Sequence, residues 1–189
     1  NTTVQGNRIK DCKYGINIGE VVGISVLNNI VTATDSQGIR SHDTASTGKI
    51  LIDGNTVTTT GSHAIEIFQD RVRVTNNRVS GSADQGIRVS NGDYSYIANN
   101  EIFDNTNNGV FVSSDAGYVE IRDNYFYNTG TAQDRAVYEE AGTGPTRMVG
   151  NRIVGMNTAE FEFNRTTSVF IDDYVINESG ADVDYRIEG

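Results

Sequence analysis

Seven residues spread along the chain carry the chemistry best suited to recognition: Asn17, Arg40, Glu66, Arg88, Phe111, Tyr138 and Glu162. Most sit in the middle of a short apolar triplet, as in Ile16-Asn17-Ile18, Ile65-Glu66-Ile67, Ile87-Arg88-Val89 and Val110-Phe111-Val112. Alternation at period two points the middle residue outward. His42, Phe68, Ser90 and Ser113 lie two residues further along on the same side. An acid between two arginines, followed by two aromatics, is a track for a polysaccharide. Arginine can clamp a uronate carboxylate through two parallel N–H bonds, and an aromatic face can stack on a sugar ring. On this reading Arg40, Phe68, Phe111 and Tyr138 hold carbohydrate, and His42, Glu66 and Arg88 are the candidates for catalysis. The alternative is structural. Arg40, Glu66 and Arg88 would then be a cross-strand charge ladder worth about 0.2–1 kcal/mol per pair, and Phe111 and Tyr138 could cover a partner subunit.

These residues need elements that bring them into one line, and a second pattern supplies them. The motif apolar-x-x-Asn-x-apolar, clearest in Ile52-Asp53-Gly54-Asn55-Thr56-Val57, recurs down the chain. Its polar residue is Asn7, Asn29, Asn55, Asn77, Asn100, Asn124, Asn151 and finally Asp173, in steps of 22 to 27 residues. A repeat of this size marks a stacked, quasi-one-dimensional fold. The triplets above form the second column, most of them opened by a glycine or alanine such as Gly15, Gly38, Ala64, Gly86 and Gly109. Short strands with no helical periodicity predict coils in which each strand pairs in parallel with its copy one rung on, about 4.8 Å away. Asparagine suits the bend between strands, because it tolerates the left-handed conformation. Its amide both donates and accepts, so stacked copies can bond from rung to rung. The small residue opening each triplet is expected at a sharp turn. The loops Ser41 to Gly48, Asn128 to Arg135 and Ala141 to Thr146 interrupt the rhythm, and such insertions often carry recognition.

Composition narrows the partners. The 189 residues carry a formal net charge of −10, with 25 acidic against 15 basic side chains. That disfavours nucleic acid, whose binding needs cationic neutralisation of phosphates. Only three of the basic residues are lysine, a balance suited to high salt. The lone Cys12 excludes an internal disulfide framework and reads as a buried, inert thiol. No run of 18 apolar residues spans a membrane. The repeat runs from end to end, so residues 1–189 read as a single domain. The rungs begin and stop without caps, which predicts an excerpt of a longer chain, or ends covered by flanking domains or by partners in a homotrimer. Three Asn-x-Ser/Thr triplets, at Asn1, Asn164 and Asn177, are permissive for glycosylation and compatible with an extracellular or virion or cell-surface location.

The repeated columns, from Val4 to Ile187, resemble the right-handed parallel β-helix proteins of the pectate-lyase-like superfamily. The resemblance implies an all-β solenoid of about eight rungs with 22 to 27 residues each. That superfamily includes polysaccharide lyases, glycoside hydrolases, uronate epimerases, virus tailspikes and non-catalytic surface proteins. Its implied partner is a polysaccharide or cell-surface glycan. Within it, Gln37-Gly38-Ile39-Arg40-Ser41-His42-Asp43 is similar to the mannuronan C5-epimerase motif Tyr-Gly-Phe-Asp-Pro-His-Asp, and Ser62-His63-Ala64-Ile65 to that family's Arg-His-Gly-Phe stretch. The resemblance implies that His42 is the catalytic histidine. The family's tyrosine, aspartate and arginine fall on Gln37, Arg40 and Ser62 here. A proton abstraction beside a carboxylate needs a base, an acid and charge neutralisation, so a binding or assembly module is the first expectation and a lyase or epimerase acting on a polyuronate the second. No metal site is expected. Calcium is the one cofactor for which carboxylates are at hand, if Asp70, Asp93 and Glu66 converge beside Arg88.

Overall fold

The computed structural model describes residues 2–19, 23–42, 49–130, 133–142, 144–158, 161–163, 169–171 and 174–176. Its strands form three parallel sheets and the described residues contain no helix. Sheet A runs in eight strands from Thr2–Gln5 to Val169–Ile171, and sheet B in eight from Arg8–Cys12 to Tyr174–Ile176. Sheet C has seven, from Ile16–Ile18 to Phe161–Phe163. The chain visits A, B and C in turn, and each strand pairs with its copy one rung away. This is a right-handed parallel β-helix. Six turns, from Thr2 to Glu139, have all their strand side chains described. A seventh is described less fully, and two strands lie beyond it among the described residues. The count of full turns therefore falls short of the eight read from the sequence. The copy assigned to the last triplet, Asp184 to Ile187, lies outside the described residues, as does Asp173.

Alternation builds the core. Val26, Ile52, Val74, Ile97, Ile121 and Met148 line up from sheet A, and Val31, Val57, Val79, Ile102, Phe126 and Ile153 from sheet B, all at most 1% exposed. Sheet C adds Ile39, Ile65, Ile87, Val110 and Val137. Each side chain stacks on its own equivalent, so like packs on like along the axis.

The asparagine column sits at the bend between sheets A and B. Asn55 is typical: its main-chain N–H and Nδ2 both donate to Oδ1 of Asn77, at 2.9 and 3.0 Å. Its Nδ2 also reaches the Val26 carbonyl at 2.9 Å. The same pattern links Asn7, Asn29, Asn77, Asn100, Asn124 and Asn151. Buried backbone groups that the bend removes from the sheets are thereby satisfied. The left-handed residue is not the column asparagine, as expected, but the one before it: Gly6, Asn28, Gly54, Asn76, Asn99, Asp123 and Gly150 all have φ between 53° and 68°. The bend needs one left-handed residue to turn the chain, and the next must face inward to bond.

The glycines opening sheet C strands also differ from expectation. None of Gly15, Gly38, Gly86 and Gly109 has a positive φ. A Cβ on Gly109 would lie 2.7 Å from the Ala136 carbonyl oxygen and 2.8 Å from the Phe126 ring. Close approach of successive rungs, not a sharp turn, requires the small residue. Cys12 ends a sheet B strand and is half-buried rather than enclosed.

Candidate functional site

The strand register brings the expected outward column together on sheet C. Asn17 pairs with Arg40, Arg40 with Glu66, and Glu66 with Arg88. Arg88 then pairs with Phe111, Phe111 with Tyr138 and Tyr138 with Glu162. Adjacent members are one strand spacing apart, about 4.8 Å, which is close enough for side chains to touch.

Glu66 is the centre of this face. It is only 5% exposed. Its Oε2 lies 3.2 Å from Arg40 Nε and accepts a 2.8 Å hydrogen bond from Gln37 Nε2. Its Oε1 lies 3.9 Å from Arg88 Nε and accepts from Ser90 Oγ at 3.3 Å. A carboxylate taken so far out of water needs such enclosure, because an uncompensated charge there would cost several kcal/mol. Arg88 Nε also donates to Ser90 Oγ at 2.9 Å, which fixes the guanidinium.

His63 joins from the turn before this strand. Its ring is 5% exposed. Nε2 lies 3.4 Å from Arg88 Nη1 and 3.8 Å from Glu66 Oε1, while Nδ1 lies 3.4 Å from Asp84 without a hydrogen bond. Arginine can only donate, so Nε2 accepts and the ring is neutral in this arrangement. Burial holds the imidazole below its ordinary value, outweighing the raising pull of Glu66 and Asp84, with the two arginines lowering it further. Sequence reading placed catalysis on His42. The structure brings Arg88 and Glu66 together with His63, whereas exposed His42 has its recorded ring contact with Phe68, at 6.1 Å. The signal for His63 was its position three residues before Glu66, where a turn folds it back over the strand.

The aromatics extend the face in both directions. The Arg40 guanidinium lies over Phe68 at 5.0 Å and that of Arg88 over Phe111 at 5.1 Å. Phe111 is stacked on Tyr138 at 5.5 Å and is 9% exposed, so its ring faces are covered by neighbours. Tyr138 is half-buried, with Arg135 over it at 5.4 Å and Arg135 paired to Glu162 at 2.9 Å. A shallow cleft of about 330 Å³ opens here between Asn107, Asp134, Tyr138 and Glu162. Asp70 and Asp93 lie at the turn beyond sheet C, where Asp70 Oδ1 accepts from the Asp93 main-chain N–H at 3.0 Å. The loop residues 43–48, including Asp43 of the epimerase-like stretch, lie outside the described residues.

Solved structures with the same fold include two epimerases and a bacteriophage tailspike. The A-module of Azotobacter vinelandii mannuronan C-5 epimerase AlgE6 superposes with a TM-score of 0.78 at 18% identity, over 93% of this chain and 50% of that one. The periplasmic alginate epimerase AlgG gives 0.64 at 18% identity, over 88% of this chain and 49% of that one. The enzymatically active domain of bacteriophage CBA120 tailspike protein 2 gives 0.63 at 15% identity, over 89% and 27%. The chain thus spans about half the length of the epimerase module, and at these identities the likeness establishes the fold alone. No curated protein sequence matches the chain.

A family model described as "Periplasmic copper-binding protein (NosD)" matches residues 1–165. Copper favours thiolate, thioether and imidazole donors held together. Here Cys12 lies on sheet B, Met148 is packed in the core, and the two histidines lie on the sheet C side. Among the described residues no group of three or more histidine, cysteine, aspartate or glutamate side chains could hold a metal. The donors among the described residues do not fit a resident copper. By the extent of that match, this parallel β-helix belongs to the NosD family.

Proposed function

We propose that this chain is a carbohydrate-recognition module of a secreted, periplasmic or surface protein, and that it holds a glycan along the outer face of sheet C without altering it. The observation that carries the reading is the enclosure of Glu66. Its two oxygens face Arg40, Arg88, Gln37 and Ser90, and the His63 lone pair faces Arg88. Neither Glu66 nor His63 is left poised toward solvent for proton transfer, which needs a group within hydrogen-bond reach of the substrate. What remains part-exposed is a rim of Arg40, Arg88 and Phe68 and, beyond it, the Tyr138 cleft. The mannuronan and alginate epimerases among the similar structures support a saccharide as the ligand class.

The test is affinity electrophoresis of the protein through gels containing neutral or uronate polysaccharides. Retardation reduced by Phe68→Ala and Tyr138→Ala supports this face. No retardation by any glycan refutes it.

An enzymatic reading, as a lyase or C5-epimerase on a polyuronate, draws on one observation: buried His63 and Glu66 share a cluster with part-exposed Asp84 and Arg88. Incubation with alginate and pectate would then yield unsaturated uronate absorbance or a changed epimer ratio. His63→Ala or His42→Ala would abolish either signal.

A further inference from the structure

Arg40 and Arg88 of sheet C face Glu66, and several other cations are paired with carboxylates. Arg78 pairs with Glu101, Arg122 and Arg147 with Glu120, and Arg135 with Glu162. One group is not. Lys49 and Arg73 line a cleft of about 580 Å³ on sheet A together with Ser25, Leu51 and Thr75. Arg71 flanks it: Val72 pairs with Ile50, so Arg71 and Lys49 occupy equivalent positions at the starts of adjacent strands. All three cations are exposed, and no carboxylate among the described residues pairs with them. Arg73 is instead laid over the Tyr96 ring at 4.6 Å. That contact orients the guanidinium and leaves its charge uncompensated.

The acids that share this face are occupied. Glu120, two strands on from Arg73 in the same outward column, lies between Arg122 and Arg147. Asp53, at the far end of its strand, accepts from Thr75 Oγ1 at 2.6 Å and Asn76 Nδ2 at 2.7 Å. On a chain of net charge −10, the cleft is a local concentration of positive charge that no carboxylate among the described residues pairs with.

We infer that this cleft on sheet A binds the anionic groups, carboxylate or sulfate, of an extended acidic polysaccharide. The inference rests on the glycan reading above but assigns it a second, separate face. Lys49 and Arg73 are offset by one strand, about 4.8 Å, and by two residues, about 6.6 Å. That spread meets successive charges on a polymer better than one small ion. Ser25 lies beside them with a hydroxyl that can donate or accept from sugar hydroxyls. Nucleic acid is the poorer match, because the high charge density of its backbone is repelled by the rest of an acidic molecule.

The experiment is affinity electrophoresis of the full chain in polygalacturonate, dextran sulfate and neutral dextran, with a duplex oligonucleotide run in parallel. The expected result is retardation by one or both acidic polymers and not by dextran, falling with added salt. Lys49→Ala/Arg71→Ala/Arg73→Ala should weaken it about tenfold or more, beyond any loss in the sheet C variant Phe68→Ala/Tyr138→Ala, while Arg152→Ala, which removes an exposed cation from sheet B, leaves it intact. The polymer that is retained distinguishes carboxylate from sulfate. If the sheet C variant loses acidic-polymer binding and the triple variant does not, this inference fails and the sheet C reading stands. Wild-type protein that ignores every polymer overturns both, and equal or tighter retention of the duplex overturns the assignment to polysaccharide. Circular dichroism of the triple variant checks that it remains folded.

Discussion

Nδ1 of His63 lies 3.4 Å from the carboxylate of Asp84, one rung along, yet the two do not form a hydrogen bond. The ring is held neutral by burial, with its other nitrogen toward Arg88. Its folded pKa lies below the ordinary histidine value, so in the window between the two the unfolded chain binds more protons. Stability therefore falls as pH drops from above about 6.5 toward the folded pKa, and this contribution is flat at lower pH. Urea midpoints measured from pH 8 to pH 5 should show this fall in the wild type. His63→Gln should flatten that part of the curve. An identical slope in both proteins would rule out His63 as its source.

Asn77→Ala should cost about 2–4 kcal/mol, because it strands buried partners on two rungs. The lost contacts are those to Asn55 N–H and Nδ2, to Asn100 Oδ1 and to the Ile52 carbonyl. Asn7→Ala, at the exposed start of the column, should cost about 1 kcal/mol or less. Equilibrium urea unfolding of the two variants checks the contrast.

Glu66→Gln should destabilise the protein by about 2–3 kcal/mol, less than for a wholly buried pair because Arg40 and Arg88 keep 20% and 33% side-chain exposure. The amide no longer neutralises either guanidinium. Added salt should recover part of the loss by screening the two arginines from each other, a trend the wild type should not share.

Gly109→Ala should destabilise by about 1–3 kcal/mol even though its φ suits alanine. The new methyl would press on the Ala136 carbonyl and the Phe126 ring. Trimming the ring in Gly109→Ala/Phe126→Leu should cost less than the sum of the two single changes, a non-additivity read from thermal or urea midpoints.

Much of the fold was legible because it is written in residue types at fixed spacing. The pairing of Arg40 with Glu66 and of Phe111 with Tyr138 follows from aligning Gly38-Ile39, Ala64-Ile65 and Gly109-Val110. What stayed hidden depended on the bend. Two residues adjacent in sequence, Asn76 and Asn77, divide the turning and the bonding between them, and residue type cannot say which does which. The site shows the same limit. His63 lies outside the strand alternation, and only its turn folds it toward Glu66 and Asp84. The basic cleft was invisible for another reason: Lys49 and Arg71 precede their strands, and their shared position appears only once Ile50 is paired with Val72. Charge counting also treats Arg73 and Arg88 alike, although one rests on Tyr96 and the other faces Glu66.

The parallel pairing of each strand with its copy one rung away has a mechanical consequence. Strand pairing reaches along the chain by one repeat at a time, so the rod has no central keystone whose loss would collapse everything. Pulled from its ends, such a molecule should peel away one coil at a time, giving a sawtooth of similar force peaks rather than a single break. Each peak would release a contour length set by the 22 to 27 residues of one repeat.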